Sequence, residues 1–516
     1  MGVLDVGPTD LSVPTWVFPA SDPSVAGPIQ WVLDASPVAT RKLVLAVSRR
    51  DGPANPARLW AIDRETGLLA WSRELPESVL DSWASPTIDP GNGTALYATG
   101  RPGSDAAVVQ ARRLSDGSLV WETELAKDVV NASVVVTTDL GVRDRAFVVD
   151  YEGFYAGGDG ALVYCINVDP RVERGDPDGV PADNPHVPGE IVWTYPLQAG
   201  AVGATPAYDG GGVYVATAGD FDFAVGGSVL ALDATAGTAS EALVWQSDLA
   251  GDDAFFGGVS LTPDAVLAAT YNFIGGLDSA RLVKLDRATG DLLWTTPANR
   301  TNSMPVAFRS IAGERQILLA TGLPAFGSLP ALQRFDDLGS AGVLREDSTT
   351  ATWQDDGDGI IELGEFAILG GWTHQPHVVD RHPATGGPTA FVGSIGVPSG
   401  GPSPVGYTRI SLIDLSRSFG DAGSVITAFD GAGSSPAIVQ RSLYTIGPAG
   451  VHAFGLPFLL DVNGDGSIDI EDLYDWHADV GDRDVDRDGV VNNADRRALE
   501  AELRRDELRQ RSRVMP

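Results

Sequence analysis

Short apolar runs of strand length recur from Pro14 to Phe454, divided by Gly, Pro, Asp and Thr. The clearest is Ala61-Ile-Asp63-Arg-Glu-Thr66-Gly67-Leu-Leu-Ala-Trp71, which reads as a strand, a tight turn at Thr66-Gly67 and a second strand ending in a large aromatic. Asp63 and Thr66 can hydrogen-bond the turn backbone, and Gly67 supplies the positive φ such a turn needs. Alone, this hairpin has an apolar face and nothing to bury it against, so it is marginal.

The chain repeats it. Ala111 to Trp121 turns at Asp116-Gly117, and Lys284 to Trp294 turns at Thr289-Gly290. Ala231-Leu-Asp233 reaches Gly237 and, after four extra residues, Trp245; Cys165 reaches Trp193 through a longer acidic, Pro-rich insertion. Each hairpin follows two more strand-like runs, such as Ser85-Pro-Thr-Ile-Asp and Ala95-Leu-Tyr-Ala-Thr before Trp121. The unit is therefore four strands.

The unit opening at Pro305 is interrupted before Trp372, and the next ends at Phe429, where a tryptophan is expected. The last has three strands, from Ser435 to Phe454, whereas Pro14-Thr-Trp16-Val-Phe stands alone at the other end. Pairing that strand with the final three closes a ring. Trp16, Trp71, Trp121, Trp193, Trp245, Trp294, Trp372 and Phe429 count eight blades, with seven the alternative because Pro330 to Trp372 is irregular. Radial closure leaves only short sheet edges exposed. The tryptophans, once per unit beside the same turn, read as packing rather than as sugar platforms.

The pattern Ala-x-Asp-x-x-Thr-Gly-x-x-x-Trp resembles the pyrroloquinoline-quinone-type propeller repeat over roughly residues 14–456. That resemblance implies an all-β, eight-bladed β-propeller, a fold shared by quinoprotein alcohol dehydrogenases and non-catalytic assembly proteins. The chain divides into a propeller over 1–457, with insertions near 169–190 and 338–371, and a small helical region over 458–516.

After Pro457 the chemistry changes. Asp461, Asn463, Asp465, Asp469 and Asp472 fall at positions 1, 3, 5, 9 and 12 of a twelve-residue loop, Gly466 takes the sharp turn, and Ser467 offers a carbonyl. The pattern returns 23 residues later with Asp484, Asp486, Asp488, Asn492 and Asp495, and Val490 as the carbonyl donor. Ca²⁺ takes six to eight hard oxygens, and this spacing wraps them around one point. Each loop leads into a helix, with Leu473, Trp476 and Val480 on one face of the first and Leu499 and Leu503 on one face of the second. The pair resembles a type I dockerin over about residues 459–505, which implies two calcium sites and docking to a cohesin-like partner. Ile470-Glu471 and Asn493-Ala494 differ from the Ser/Thr pairs of many dockerins, and Arg496 replaces a usual Leu. A third calcium loop is expected at 354–365, through Asp356, Asp358, Glu362 and Glu365, although Gln354 is a poor first ligand.

Charge narrows the partners. The chain of 516 residues carries 36 basic and 69 acidic side chains, a net charge of −33. That opposes nonspecific binding to nucleic acid or anionic membranes. No apolar run approaches a membrane span, and no signal peptide is visible at Met1 to Pro14. Cys165, the only cysteine, reads as a buried small hydrophobe. The lone cysteine also lacks the adjacent pair of many quinone-dependent alcohol dehydrogenases, so pyrroloquinoline quinone is not expected. His374, His377 and His382 could hold zinc, but read better as ordinary polar residues at the start of a blade. The basic tail from Arg504 to Arg513 is expected to fray from its helix.

The expectation is a secreted, non-catalytic binding or scaffold propeller, extracellular or at the cell surface, attached through its calcium-folded tail to a protein partner or assembly, with a glycan as another partner. The alternative is an extracellular carbohydrate- or alcohol-active enzyme, quinone-dependent or polysaccharide-degrading, anchored by the dockerin-like unit.

Overall fold

The structure, a computed structural model, describes residues 7–25, 27–51, 55–76, 84–99, 107–129, 131–151, 160–171, 184–197, 203–218, 226–249, 254–271, 280–322, 330–350, 369–394, 408–455, 460, 462, 470–481, 483–485 and 491–514. It is an all-β propeller of eight four-stranded antiparallel sheets. Blade 1 is Val38–Ala39, Leu43–Ser48, Arg58–Asp63 and Leu69–Glu74. Blades 2 to 7 follow in order, their innermost strands beginning at Thr87, Val135, Ala207, Ser260, Val306 and His377. Blade 8 takes Ala437–Val439, Ser442–Gly447 and Gly450–Phe454 from one end of the chain and Trp16–Phe18 from the other. Trp16 stands opposite Ala453 there, so the ring closes through the N-terminal strand as the sequence predicts.

The middle strands read as apolar runs because a neighbouring sheet covers each face. All six residues of Thr94–Thr99 and of Thr389–Ser394 are buried. Outer strands alternate instead, as in Leu292–Pro297, where Trp294 and Thr296 point inward.

Successive blades are joined at two radii. Near the axis, hydroxyls accept backbone N–H groups from the blade before: Ser36 N–H to Ser85 Oγ (2.8 Å), Ser85 to Ser133 (2.8 Å), Ser133 to Thr205 Oγ1 (2.9 Å) and Gln375 to Ser435 (2.8 Å). At the rim, the outer-strand tryptophan of one blade lies on the turn of the next. Trp71 Nε1 donates to the Leu114 carbonyl at 2.8 Å, Trp16 to Arg64 at 3.0 Å, Trp193 to Ala236 at 2.9 Å and Trp245 to Arg287 at 3.0 Å. The turn glycine serves both ends of this contact. Gly117 has φ +71°, and a Cβ there would come within 2.5 Å of the Trp71 ring. Gly290 is placed the same way under Trp245, with φ +77° and 2.5 Å. The four extra residues before Trp245 are absorbed as one helical turn, Ala239–Ala242.

Two of the predicted blade markers are wrong. Trp372 is not on an outer strand. The fourth strand of blade 6 is Gly342–Asp347, and Glu346, opposite Arg334 beside the bulge, holds the docking register. In blade 7 that register belongs to Thr427, opposite Leu412, while Phe429 lies two residues further on and packs on Phe454 at 5.3 Å. Each seam is closed differently. Arg334, almost fully buried, pairs with Glu346 and donates to the carbonyls of Leu415 (2.5 Å) and Arg417 (2.9 Å), while Glu346 accepts from Phe419 N–H at 3.1 Å. At the next seam the N-terminal segment fills the gap. Leu11 is fully buried among Phe391, Ile410, Leu443 and Phe454, its N–H donates to Thr427 Oγ1 (3.2 Å), and that hydroxyl donates to Asp10 (3.0 Å).

Trp71→Ala is expected to lower stability by about 3–5 kcal/mol, and Gly117→Ala by about 1–3 kcal/mol. Urea unfolding measures both; a Gly117→Ala midpoint equal to that of the parent would contradict the docking role. Stability should also depend on pH. Burial holds His374, His382 and His452 below their ordinary 6.5, so they are neutral in the fold and the unfolded chain takes up protons first. Their contribution is complete above about 6.5 and is lost as pH falls toward the lower folded values. Asp144, pushed up by burial to about 6, and Asp89, raised for the same cause, run the other way. With three imidazoles against two carboxylates, the urea midpoint should fall between about pH 7.5 and pH 5.5; a level or rising profile would count against it.

Candidate functional site

The two C-terminal helices are Ile470–Ala478 and Asn493–Val514. They share a small core of Leu460, Val462, Trp476, Val485, Ala498 and Leu499, with Leu473 and Leu503 packed against it. The loop repeat explains its symmetry: Val462 and Val485 both follow the first acid of a loop, and Trp476 and Leu499 both stand four residues after the last. Val480 does not join them. The helix stops at Ala478, Asp479 turns back at φ +66°, and Val480 is half exposed. Gly481 follows because a Cβ there would lie 2.0 Å from the Val462 carbonyl. The second helix runs to Val514, through the tail expected to fray.

Asp472 and Asp495, the last acid of each loop, are 1% and 0% exposed. Asp472 Oδ1 accepts Val462 N–H at 2.7 Å, and Asp495 Oδ2 accepts Asn492 N–H at 2.6 Å. Each carboxylate is thus in the first turn of a helix and bonded back to its own loop. A carboxylate there also suits the positive end of the helix dipole. Asn492 Oδ1 accepts Ala494 N–H at 2.7 Å, and Asp484 is half-buried beside Val485. The remaining candidate ligands, Asp461, Asn463, Asp465, Ser467, Asp469, Asp486, Asp488 and Val490, lie outside the described residues. So do Asp356, Asp358, Glu362 and Glu365 of the third loop. Among the described residues, no three His, Cys, Asp or Glu side chains gather closely enough to hold an ion. The candidate donors are hard oxygens throughout, the kind Ca²⁺ takes, and Asp472, Asp484, Asn492 and Asp495 are the described ones.

Inside the ring, His374 is buried beside Asp34 and the carbonyls of Gly393 and Gly433. His382 is fully buried; its Nδ1 accepts Ala384 N–H and its Nε2 faces the Pro8 carbonyl at 3.2 Å, so Nε2 carries the proton. His377 opens the inner strand of blade 7. Cys165 faces Trp193 across the sheet and is fully buried; burial raises its thiol to about 12, which makes it inert.

The sequence did not reveal the part played by Trp372. Its ring lies 5.6 Å from Tyr271, which meets Phe256 at 5.5 Å and carries the Arg300 guanidinium 5.5 Å above its face. Trp372 accepts Asn302 N–H (2.7 Å) and donates to Gly322 (3.0 Å), while the next residue, Thr373, bonds Asp34 of the blade 1 approach at 2.8 Å. This segment braces blades 5, 6, 7 and 1 across one end of the ring. A Trp outside a Gly-to-Trp hairpin was the available signal.

Residues 21–171 and 186–315, more than half of the chain, match the family model described as outer membrane protein assembly factor BamB. The chain belongs to this family. A comparison with curated proteins finds no match. Among solved structures, Sqt1 from Chaetomium thermophilum is 14% identical, with 83% of this chain and 97% of that one covered and a TM-score of 0.53. A europium-containing methanol dehydrogenase is 14% identical over 57% of this chain and 66% of its own, with a TM-score of 0.39. The quinohemoprotein alcohol dehydrogenase of Comamonas testosteroni is 15% identical over 55% of each chain, with a TM-score of 0.35. This chain thus spans 66% and 55% of the two dehydrogenases. At such identities the Sqt1 likeness speaks to the fold alone.

Asp472→Ala removes a buried acceptor and leaves Val462 N–H unpaired, a cost of about 1–3 kcal/mol. The variant is expected to bind calcium more weakly by titration calorimetry and to be cut by protease within 460–514 at lower enzyme concentration. Unchanged calcium affinity would remove Asp472 from the ligand set.

Proposed function

We propose that this protein is a secreted, non-catalytic propeller that works as a binding scaffold, and that its C-terminal helical pair is a calcium-folded, dockerin-like attachment module. The observation that carries the reading is the burial of Asp472 and Asp495, the closing acids of two loops with calcium-ligand spacing. Two buried carboxylates at ligand positions of these loops, on a chain of −33 net charge, suit a site that also holds a hard cation. Calcium at extracellular concentrations would supply it, and folding of the pair would follow ion binding. The family is named for an outer membrane protein assembly factor, a role in protein assembly that accords with a scaffold. The partner is an extracellular protein able to grip the two helices, with cohesin-like modules one such class. Exposed Tyr474 and Ile470 on the first helix offer it an apolar contact.

The full-length chain should capture its partner from the native extracellular fraction in calcium and release it in a chelator. The Asp472→Ala/Asp495→Ala variant should capture none, with strand circular dichroism intact. Equal capture with and without chelator would sink the calcium-dependent reading, and quinone-dependent dye reduction by the purified protein would sink the non-catalytic one.

A further inference from the structure

Two cavities adjoin on the face of the ring that carries the hairpins between first and second strands. One, of about 680 Å³, lies between blades 4 and 5 beside Tyr208 and Arg287; the other, of about 460 Å³, lies between blades 5 and 6 beside Phe308 and Gln316. Both are lined by Leu261, Thr262 and Pro263, so they form one groove across blades 4 to 6, with Asp380 of blade 7 at its edge. Their sizes are those of small-ligand sites.

The charges of the groove cancel. Arg287 pairs with Asp209 at 2.6 Å, Arg315 with Asp264 at 2.7 Å and Lys284 with Asp337 at 2.7 Å; Arg309 and Asp380 complete the balance. A neutral patch of this kind on a chain of net charge −33 favours neither an anion nor a cation. It is nevertheless dense in planar donors and acceptors. Gln316 is 2% exposed; its amide nitrogen donates to Asp336 at 2.8 Å, and its Oε1 has no partner among the described residues. A buried acceptor of this kind is costly until a donor reaches it. Lys284, with three N–H donors, has one carboxylate at hydrogen-bond distance. At the other end Tyr208 is half-buried and lines the cavity, its hydroxyl donating to Asp139. Leu261, Leu267 and Ile317 give an apolar floor.

We propose that this groove binds an uncharged oligosaccharide. A hydroxyl both donates and accepts, so one sugar can satisfy Gln316 Oε1 and Lys284 Nζ together, while the C–H face of the next lies on Tyr208. The site is independent of the calcium-dependent module and uses none of its residues.

Saturation-transfer NMR and calorimetry on the full-length chain in calcium, with cellotriose, xylotriose and maltotriose, test it against trigalacturonate and a chitosan trimer. At least one neutral trisaccharide should bind more tightly than either charged one. Gln316→Leu and Tyr208→Ala should each raise its Kd about tenfold, with melting temperatures near that of the parent. If a variant fails to fold, the charge series on the parent protein still decides. Binding by no neutral trisaccharide, tighter binding of a charged one, or affinity unmoved by both substitutions overturns the proposal.

Discussion

An indole lying flat on the glycine turn of the next blade is the contact on which the ring depends. Blades fan outward, so hydroxyl-to-backbone bonds near the axis cannot by themselves fix the rim. The tryptophan does this with area and direction together, because its ring covers the turn and its N–H must find an acceptor once water is excluded. A backbone carbonyl of the turn provides that acceptor for Trp16, Trp71, Trp193 and Trp245. The same constraint explains why the turn residue under Trp16, Trp71 and Trp245 is glycine. Its φ is positive, and its missing Cβ is the space the indole occupies.

Closure then makes the two chain ends interdependent. Trp16 belongs to blade 8 by hydrogen bonding and docks on Gly67 of blade 1, where a Cβ would lie 2.7 Å from its ring. The residues just before it serve a second seam, with Leu11 filling the gap between blades 7 and 8. The short stretch from Gly7 to Phe18 therefore contributes to two of the eight joints, which is more than its length suggests.

Much of this was legible in the sequence, because a repeat displays its own geometry. Strand number, ring closure and the packing role of the tryptophans follow from spacing and from strands that need a neighbour. The two misplaced markers came from searching for an aromatic rather than for an interval. Gly67, Gly117 and Gly290 each precede their tryptophan by four residues, and the same interval from Gly342 and Gly423 leads to Glu346 and Thr427. A polar pair and a borrowed N-terminal segment close those seams, and neither has a periodic signature. In the C-terminal helices the loop spacing marked Asp472 and Asp495 as calcium ligands, and the structure buries both carboxylates. The spacing could not mark the early stop after Ala478, which rests on a left-handed Asp479 and the close approach of Gly481 to Val462.

Departures from the repeat also locate the unusual chemistry of the ring. Opposite the docking tryptophan the third strand carries Ala61, Ala111, Cys165 or Ala231, small groups that let the indole lie flat. Blade 5 has Lys284 there instead. Its ammonium sits 5.9 Å from the centre of the Trp294 ring and needs a counter-ion, and Asp337 of blade 6 supplies one. Asp337 also takes the Trp294 N–H at 3.2 Å, in place of the usual carbonyl. One large polar side chain in a small-residue position therefore converts an apolar seam into a polar one, and the cavity between blades 5 and 6 is found at that seam. In a fold where most joints are built to one plan, the joint that keeps its tryptophan yet admits a lysine is where bound chemistry is to be sought.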